Sequence, residues 1–187
     1  KKKELNNLFK KKYYLSIGRL TKQKNYMFLL KFLKNHNKNN FFDEKFLIVG
    51  DGEEKDELKN FIDKNNIGNL VELLGYKKNI FPLLKDAKAL VSTSLWEDPG
   101  FTLIEAAYLN TQVISSDCPN GPQEILDYGK NGYIFETNSM QSFSKIFNQF
   151  LNDNKKTKYD KKIKLKKISR NFTIFNHYKN LKKTILS

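Results

Sequence analysis

The chain has 187 residues, 39% of them hydrophobic and 13% aromatic, enough apolar mass to bury the core of one ordinary domain with a helical appendage. Its formal charge is +14, but the cations are almost all lysine, with arginine only at Arg19 and Arg170; set among abundant Asn, Ile, Phe and Tyr, they read first as the solvated surface that an AT-rich genome encodes, because phosphate recognition favours the rigid arginine fork. A single cysteine, Cys118, excludes an internal disulfide, the two histidines His36 and His177 stand far from it and argue against a Cys/His metal centre, and no apolar run approaches the ~20 residues of a membrane-spanning helix.

Residues 1–12, KKKELNNLFKKK, lack the apolar core of a signal peptide and form a leading segment. The absence of an initiator methionine fits a piece of a longer protein, and cytoplasmic chemistry is the expectation. From residue 13 short apolar runs alternate with amphipathic ones. YYLSIG (13–18) predicts a strand, NYMFLLKFLKNHN (25–37) a helix and KFLIVG (45–50) a buried strand. EEKDELKNFIDKNN predicts a charged helix, NLVELLG a strand, FPLLKDA a short helix and ALVSTS a strand. FTLIEAAYLN, QVISSD, PQEILDYG, YIFE and SFSKIFNQFLN then continue helix, strand, helix, strand, helix. Six strands separated by helices predict an α/β fold: a doubly wound, Rossmann-like parallel six-stranded sheet with helices on both faces, over residues 13–152. Residues 153–187 form a lysine-dense C-terminal helical tail, in which Phe175, Tyr178, Leu181 and Ile185 share helical spacing and need a surface to lie on, either the domain itself or a missing neighbouring domain or anionic membrane.

A doubly wound sheet gathers its ligand at the carboxyl ends of the strands, so the segments that follow them carry the candidate chemistry. SIGRLTKQKN places Gly18 at a strand exit and Arg19 and Lys24 before a helix, a place for a diphosphate, although Arg19 could equally pair with a surface carboxylate. VGDGEE does not complete G-x-G-x-x-G and reads as a tight turn followed by first-turn acids. In SLWEDPGFTLIEAA, Pro99 and Gly100 turn the chain so that the amides of Gly100, Phe101 and Thr102 open a helix, with Glu97 before the turn and Glu105 within it. Alone, Glu97 could be a solvated loop acid and Glu105 the reciprocal partner of Thr102 in a capping box. SSDCPNGPQEIL carries the turn Asn120-Gly121-Pro122 and Glu124 at a helix opening, where an acid also compensates the helix dipole.

Taken in order, GRLTKQK, VGDG, LLGY, STSLWEDPGFTLIEAA and DCPNGPQEIL resemble the nucleotide-sugar-binding half of retaining glycosyltransferases of the GT-B architecture, family four. The resemblance runs from about Tyr13 to the C-terminus, and its most specific element is E-x7-E, here Glu97 and Glu105; the family's EGFG is EDPG in this chain. It implies that Arg19 and Lys24 hold the donor diphosphate and stabilise the leaving nucleotide, with no metal required. It further implies that Glu105 accepts from the ribose hydroxyls, that Glu97 meets the transferred sugar, that Gly18 admits the phosphates, that Gly100, Phe101 and Thr102 offer amides, and that Tyr76 lies beside the base. The implied substrate is a nucleotide-sugar, UDP-linked before GDP-linked. The implied partner is an absent N-terminal acceptor domain, without which the chain transfers nothing, and the family's work at the cytoplasmic membrane face makes the basic tail a peripheral contact with anionic lipid. The competing readings are a nucleic-acid-binding module, supported by net charge alone, a nicotinamide-dependent oxidoreductase, which the incomplete glycine motif opposes, and a structural Rossmann-like module.

Overall fold

A computed structural model describes residues 13–37 and 44–186; the leading segment 1–12 lies outside the described residues. Elements are numbered in chain order. Strand β1 (Tyr14–Ile17) leads to helix α1 (Tyr26–Asn37), β2 (Phe46–Val49) to α2 (Lys55–Lys64), β3 (Val71–Gly75) to α3 (Phe81–Asp86) and β4 (Ala89–Ser92) to α4 (Phe101–Tyr108). Strand β5 (Gln112–Ser116) then precedes α5 (Pro122–Ile125) and β6 (Tyr133–Phe135) precedes α6 (Met140–Asn152), after which α7 (Lys155–Ser169) and α8 (Ile174–Leu186) form the tail. The six strands form one sheet in the order β3-β2-β1-β4-β5-β6, and every neighbouring pair is parallel. This is a Rossmann-like α/β fold.

The near-continuous apolar strands are explained by helices on both faces of the sheet. Successive strand side chains point to opposite sides: Tyr14, Phe46, Ile48, Val91 and Ile114 join one buried cluster with α1, α2 and α6. Leu15, Leu47, Val49, Leu90 and Val113 join the other with α3, α4 and α7. The first layer is rich in rings. Tyr14 meets Phe46 at 4.7 Å and Phe147 at 5.1 Å between ring centroids, and Phe143 meets Phe32 at 4.5 Å. The second layer is aliphatic apart from Tyr13 and Phe172 and lets α4, with Ala106 and Ala107 buried, approach the sheet closely.

One expectation changes at the element level. The helix predicted over PQEILDYG stops at Ile125, because Asp127, Tyr128 and Gly129 adopt positive φ values of 48°, 51° and 88° that a right-handed helix does not accept. The tail is helical as expected, and consists of two helices joined at Arg170–Phe172. Helix α7 is latched to the domain: Leu165 is fully buried, and Lys161 Nζ donates to the carbonyls of Gly129 and Gly132, each at 2.9 Å. On α8 the side chains of Phe175, Tyr178, Leu181 and Ile185 are all exposed. No helix among the described residues is long and apolar enough to cross a membrane.

Candidate functional site

The strand order reverses between β1 and β4, so the loops after these strands diverge and leave a crevice at their carboxyl ends. The loops after β1, β2 and β3 are laced together by main chain. Gly18 N donates to Val49 O at 3.0 Å, Leu20 N to Asp51 O at 3.0 Å, and Gly50 N to Gly75 O at 3.1 Å. The spacing tolerates no side chain at two positions: a Cβ on Gly50 would lie 1.8 Å from Gly18 O, and one on Gly52 2.4 Å from Leu20 O. The glycines of VGDG therefore serve close approach between neighbouring loops, a demand invisible in the short motif itself.

Above this lacing lies a cavity of about 440 Å³ lined by Gly18, Arg19, Asp51, Tyr76, Lys77, Lys78 and Glu105, over a floor that includes Ile17 and Val49. Arg19 is exposed and makes no carboxylate ion pair among the described residues, so the surface-pairing reading finds no partner among them. Tyr76 stands 74% exposed at the rim. Asp51 accepts from Gly52 N and from Lys55 Nζ, and these bonds hold its carboxyl below the usual range. Glu105 is pushed the other way, upward, by burial. Helix α4 is capped by Gly100 at φ +83°, with no side-chain cap bond. The capping-box reading of Glu105 with Thr102 thus fails, since the helix starts one residue before Thr102 with Gly100 as its cap, and Glu105 is among the residues that line the cavity.

Directly behind Gly18 runs the side chain of Lys24, whose Cε would stand 2.8 Å from a Cβ at Gly18. Its Nζ reaches both carboxylate oxygens of Glu97 at 2.8 Å, and the pair is nearly dry, with side-chain exposures of 15% and 4%. Glu97 is thus no solvated loop acid. Gly100 packs against it, a Cβ there lying 3.7 Å from Glu97 Cβ, and Glu97 N donates to Pro119 O at 3.0 Å. That bond ties the EDPG loop to the loop after β5, where Gly121 is required because a Cβ would meet Pro99 O at 2.3 Å. Phe101 turns away and, with Pro99 and Ile104, borders a separate cavity toward the tail that also includes Glu124 and His177. Thr102 is half-buried in the first turn of α4.

The structure therefore gathers Gly18, Arg19, Tyr76 and Glu105 around one cavity, sets Lys24, Glu97 and Gly100 immediately behind it, and directs the Phe101 side chain elsewhere. Sequence reasoning missed Lys77 and Lys78, which add charge at the mouth, and Asp51, read only as a turn residue. It also missed Tyr26, whose hydroxyl is buried near Gly18 and pushed far up by burial and by the charge of Glu97. The hydroxyl-rich strand ends STS and SS were the available signal for the partners of Glu97 described below. Among the described residues no group of three or more His, Cys, Asp or Glu side chains is placed to hold a metal ion.

An open, doubly wound sheet with a charged crevice at its switch point defines a Rossmann-like class of ligand-binding domain. Within that class the chain belongs to the glycosyl transferases group 1 family, whose model matches residues 1–170, and its relatives of known structure are GT-B glycosyltransferases. It is 45% identical over 125 residues to the uncharacterized glycosyltransferase MJ1059 of Methanocaldococcus jannaschii, covering 66% of this chain and 30% of that protein. It is 36% identical over 137 residues to the amylovoran biosynthesis glycosyltransferase AmsD of Erwinia amylovora, covering 73% of this chain and 38% of AmsD. A variant of TarM from S. aureus, solved with fondaparinux, α-GlcNAc-glycerol and UDP, superposes with a TM-score of 0.75 at 28% identity over 84% of this chain and 32% of TarM. The chain thus spans roughly a third of these relatives.

Proposed function

We propose that this chain is the donor-binding half of a retaining glycosyltransferase of polysaccharide or glycoconjugate synthesis, and that its donor is a UDP-sugar. The observation that carries the reading is the adjacency of a cavity edged by Arg19 and Glu105 to a dry Lys24–Glu97 pair lying across Gly18. The missing Cβ of Gly18 makes room for the Lys24 stem, so a diphosphate set against this turn has the cations Arg19 and Lys24 on either hand. Glu105 accepts from the ribose hydroxyls, and the amides of Gly100, Phe101 and Thr102 at the opening of α4 bind sugar or phosphate oxygens. Tyr76 flanks the base. Glu97 meets the hydroxyls of the transferred sugar, so the E-x7-E pair reads two polyols while cations read the phosphates.

The chemistry that follows is electrostatic. As the sugar–phosphate bond lengthens, negative charge grows on the departing nucleotide, and Arg19 and Lys24, fixed before the reaction begins, stabilise it without solvent reorganisation. This role requires no metal ion. UDP in the TarM complex supports the choice of base. The acceptor and the remaining catalytic groups belong to the part of the longer protein that this chain does not span. The exposed stripe Phe175, Tyr178, Leu181 and Ile185 on α8 supports an interface with that part. The exposed lysines of α7, among them Lys155, Lys156, Lys164 and Lys167, support peripheral contact with an anionic cytoplasmic membrane face.

Calorimetric titration with UDP, GDP, ADP and NAD tests the reading. UDP binds, NAD does not, and Arg19→Ala weakens UDP about tenfold, the worth of one charge-assisted hydrogen bond. Equal affinity for NAD and UDP, or no nucleotide binding at all, would refute it; sugar transfer by the 187 residues alone would refute the division into halves.

A further inference from the structure

We infer that Ser94 and Thr93 are positioning residues of the donor site: Ser94 orients the carboxylate of Glu97, and Thr93 anchors the main chain that carries Lys24. The inference deepens the donor-site reading above and rests on it for its consequence, though not for its geometry. Glu97 has a flexible side chain ending in a torsion that is soft in isolation, yet its carboxylate is held from several directions. Ser94 Oγ donates to Oε1 at 2.6 Å, while Ser92 Oγ lies 3.1 Å from Ser94 Oγ and 3.4 Å from Oε1. Lys24 Nζ donates to both oxygens. Oε1 is therefore occupied by Ser94 and Lys24, whereas the bond to Oε2 is that of Lys24 among the described residues. A carboxylate oxygen accepts about two hydrogen bonds, so Oε2 keeps the capacity for a substrate hydroxyl. Ser94 decides which oxygen that is.

Thr93 acts on the other partner. Its hydroxyl proton is shared between Lys24 O at 2.9 Å and Asn25 O at 3.2 Å. Gln23 O accepts from Leu95 N at 2.8 Å, and Gln23 Nε2 donates to Trp96 O at 2.9 Å. The turn of residues 22–25 and the segment 93–97 are thereby zipped together across the switch point, one delivering the ammonium and the other the carboxylate. Ser94 is itself fixed, because Ser116 Oγ on the neighbouring strand end donates to Ser94 O at 2.6 Å. Both Ser94 and Thr93 are buried, so neither has to touch the donor to act.

The test needs a readout that does not depend on a donor. In the 187-residue chain the side-chain ammonium protons of Lys24, assigned by their loss in Lys24→Arg, exchange slowly with water because the pair is dry. Ser94→Ala accelerates that exchange about tenfold by freeing the carboxylate, and Ser94→Thr, which keeps the hydroxyl, restores it; Thr93→Val, isosteric but without the donor, accelerates it as well. In calorimetry, Ser94→Ala removes the affinity that UDP-GlcNAc, UDP-glucose or UDP-galactose gains over UDP, and leaves UDP itself within about twofold. Unchanged Lys24 exchange in a folded Ser94→Ala protein overturns the inference, and so does a Ser94→Thr protein that behaves like Ser94→Ala. Should the unsubstituted chain bind no uridine nucleotide, the donor-site reading fails and the exchange rates alone still decide the positioning.

Discussion

Arg19 and Lys24 carry the same charge in unlike surroundings, and their variants separate affinity from stability. Arg19 is exposed, so Arg19→Ala shifts folding stability by less than about 0.5 kcal/mol while weakening UDP. Lys24 neutralises a carboxylate that is 4% exposed, so Lys24→Ala strands a buried charge and costs about 3 kcal/mol or more; denaturant melts of the two variants measure the contrast. Glu105 gives a prediction in pH. Burial raises its folded pKa, so the unfolded chain releases this proton first, and native stability falls as pH rises from the ordinary carboxylate range through the folded value. Glu105→Gln does not titrate. It should melt higher than the unsubstituted chain at pH 7, by a margin that vanishes toward pH 4, while binding UDP less well. Sequence spacing drew attention to Glu97 and Glu105, but their environments were not legible in it: dryness and cavity exposure are set by segments distant in the chain.

At the scale of the element, loops are as tightly specified as helices. Gly50 and Gly75 both adopt positive φ, yet Gly75 has open space around its missing side chain, whereas a Cβ on Gly50 strikes Gly18 O. Gly75→Ala therefore costs about 1–2 kcal/mol, the penalty of a left-handed backbone, and Gly50→Ala costs more than about 4 kcal/mol or prevents folding; urea titration of both checks the order. Helix α6 offers a parallel contrast with the tail. Phe147 is fully buried against Tyr14, Phe32 and Phe46, so Phe147→Ala costs about 3–5 kcal/mol, while Phe175→Ala on the exposed stripe of α8 leaves this chain's melting unchanged. The strands and helices were readable because apolar period and turn residues are local. The early end of α5 was not, because Asp127 and Tyr128 take left-handed conformations that neither residue announces.

At the scale of the molecule, the proposed donor binding predicts a gain in stability, because a ligand that binds only the folded chain favours it. UDP at a hundred times its dissociation constant should stabilise the chain by about 2.7 kcal/mol, visible as a rise in melting temperature that NAD at the same concentration does not give. The sequence by itself determined the alternation of strand and helix and the single parallel sheet, since burial on both faces writes apolar runs and crossover connections leave their spacing in the chain. Only the tertiary structure decided the strand order, and with it which loops become neighbours. It brought Lys24 against Glu97 and slid the Lys24 stem over Gly18. It also buried the hydroxyls of Ser94 and Thr93 beside them and sent Phe101 to another cavity. The physical reason is that main-chain approach and dielectric shielding arise between segments some seventy residues apart, such as Lys24 and Glu97, where no local pattern records them.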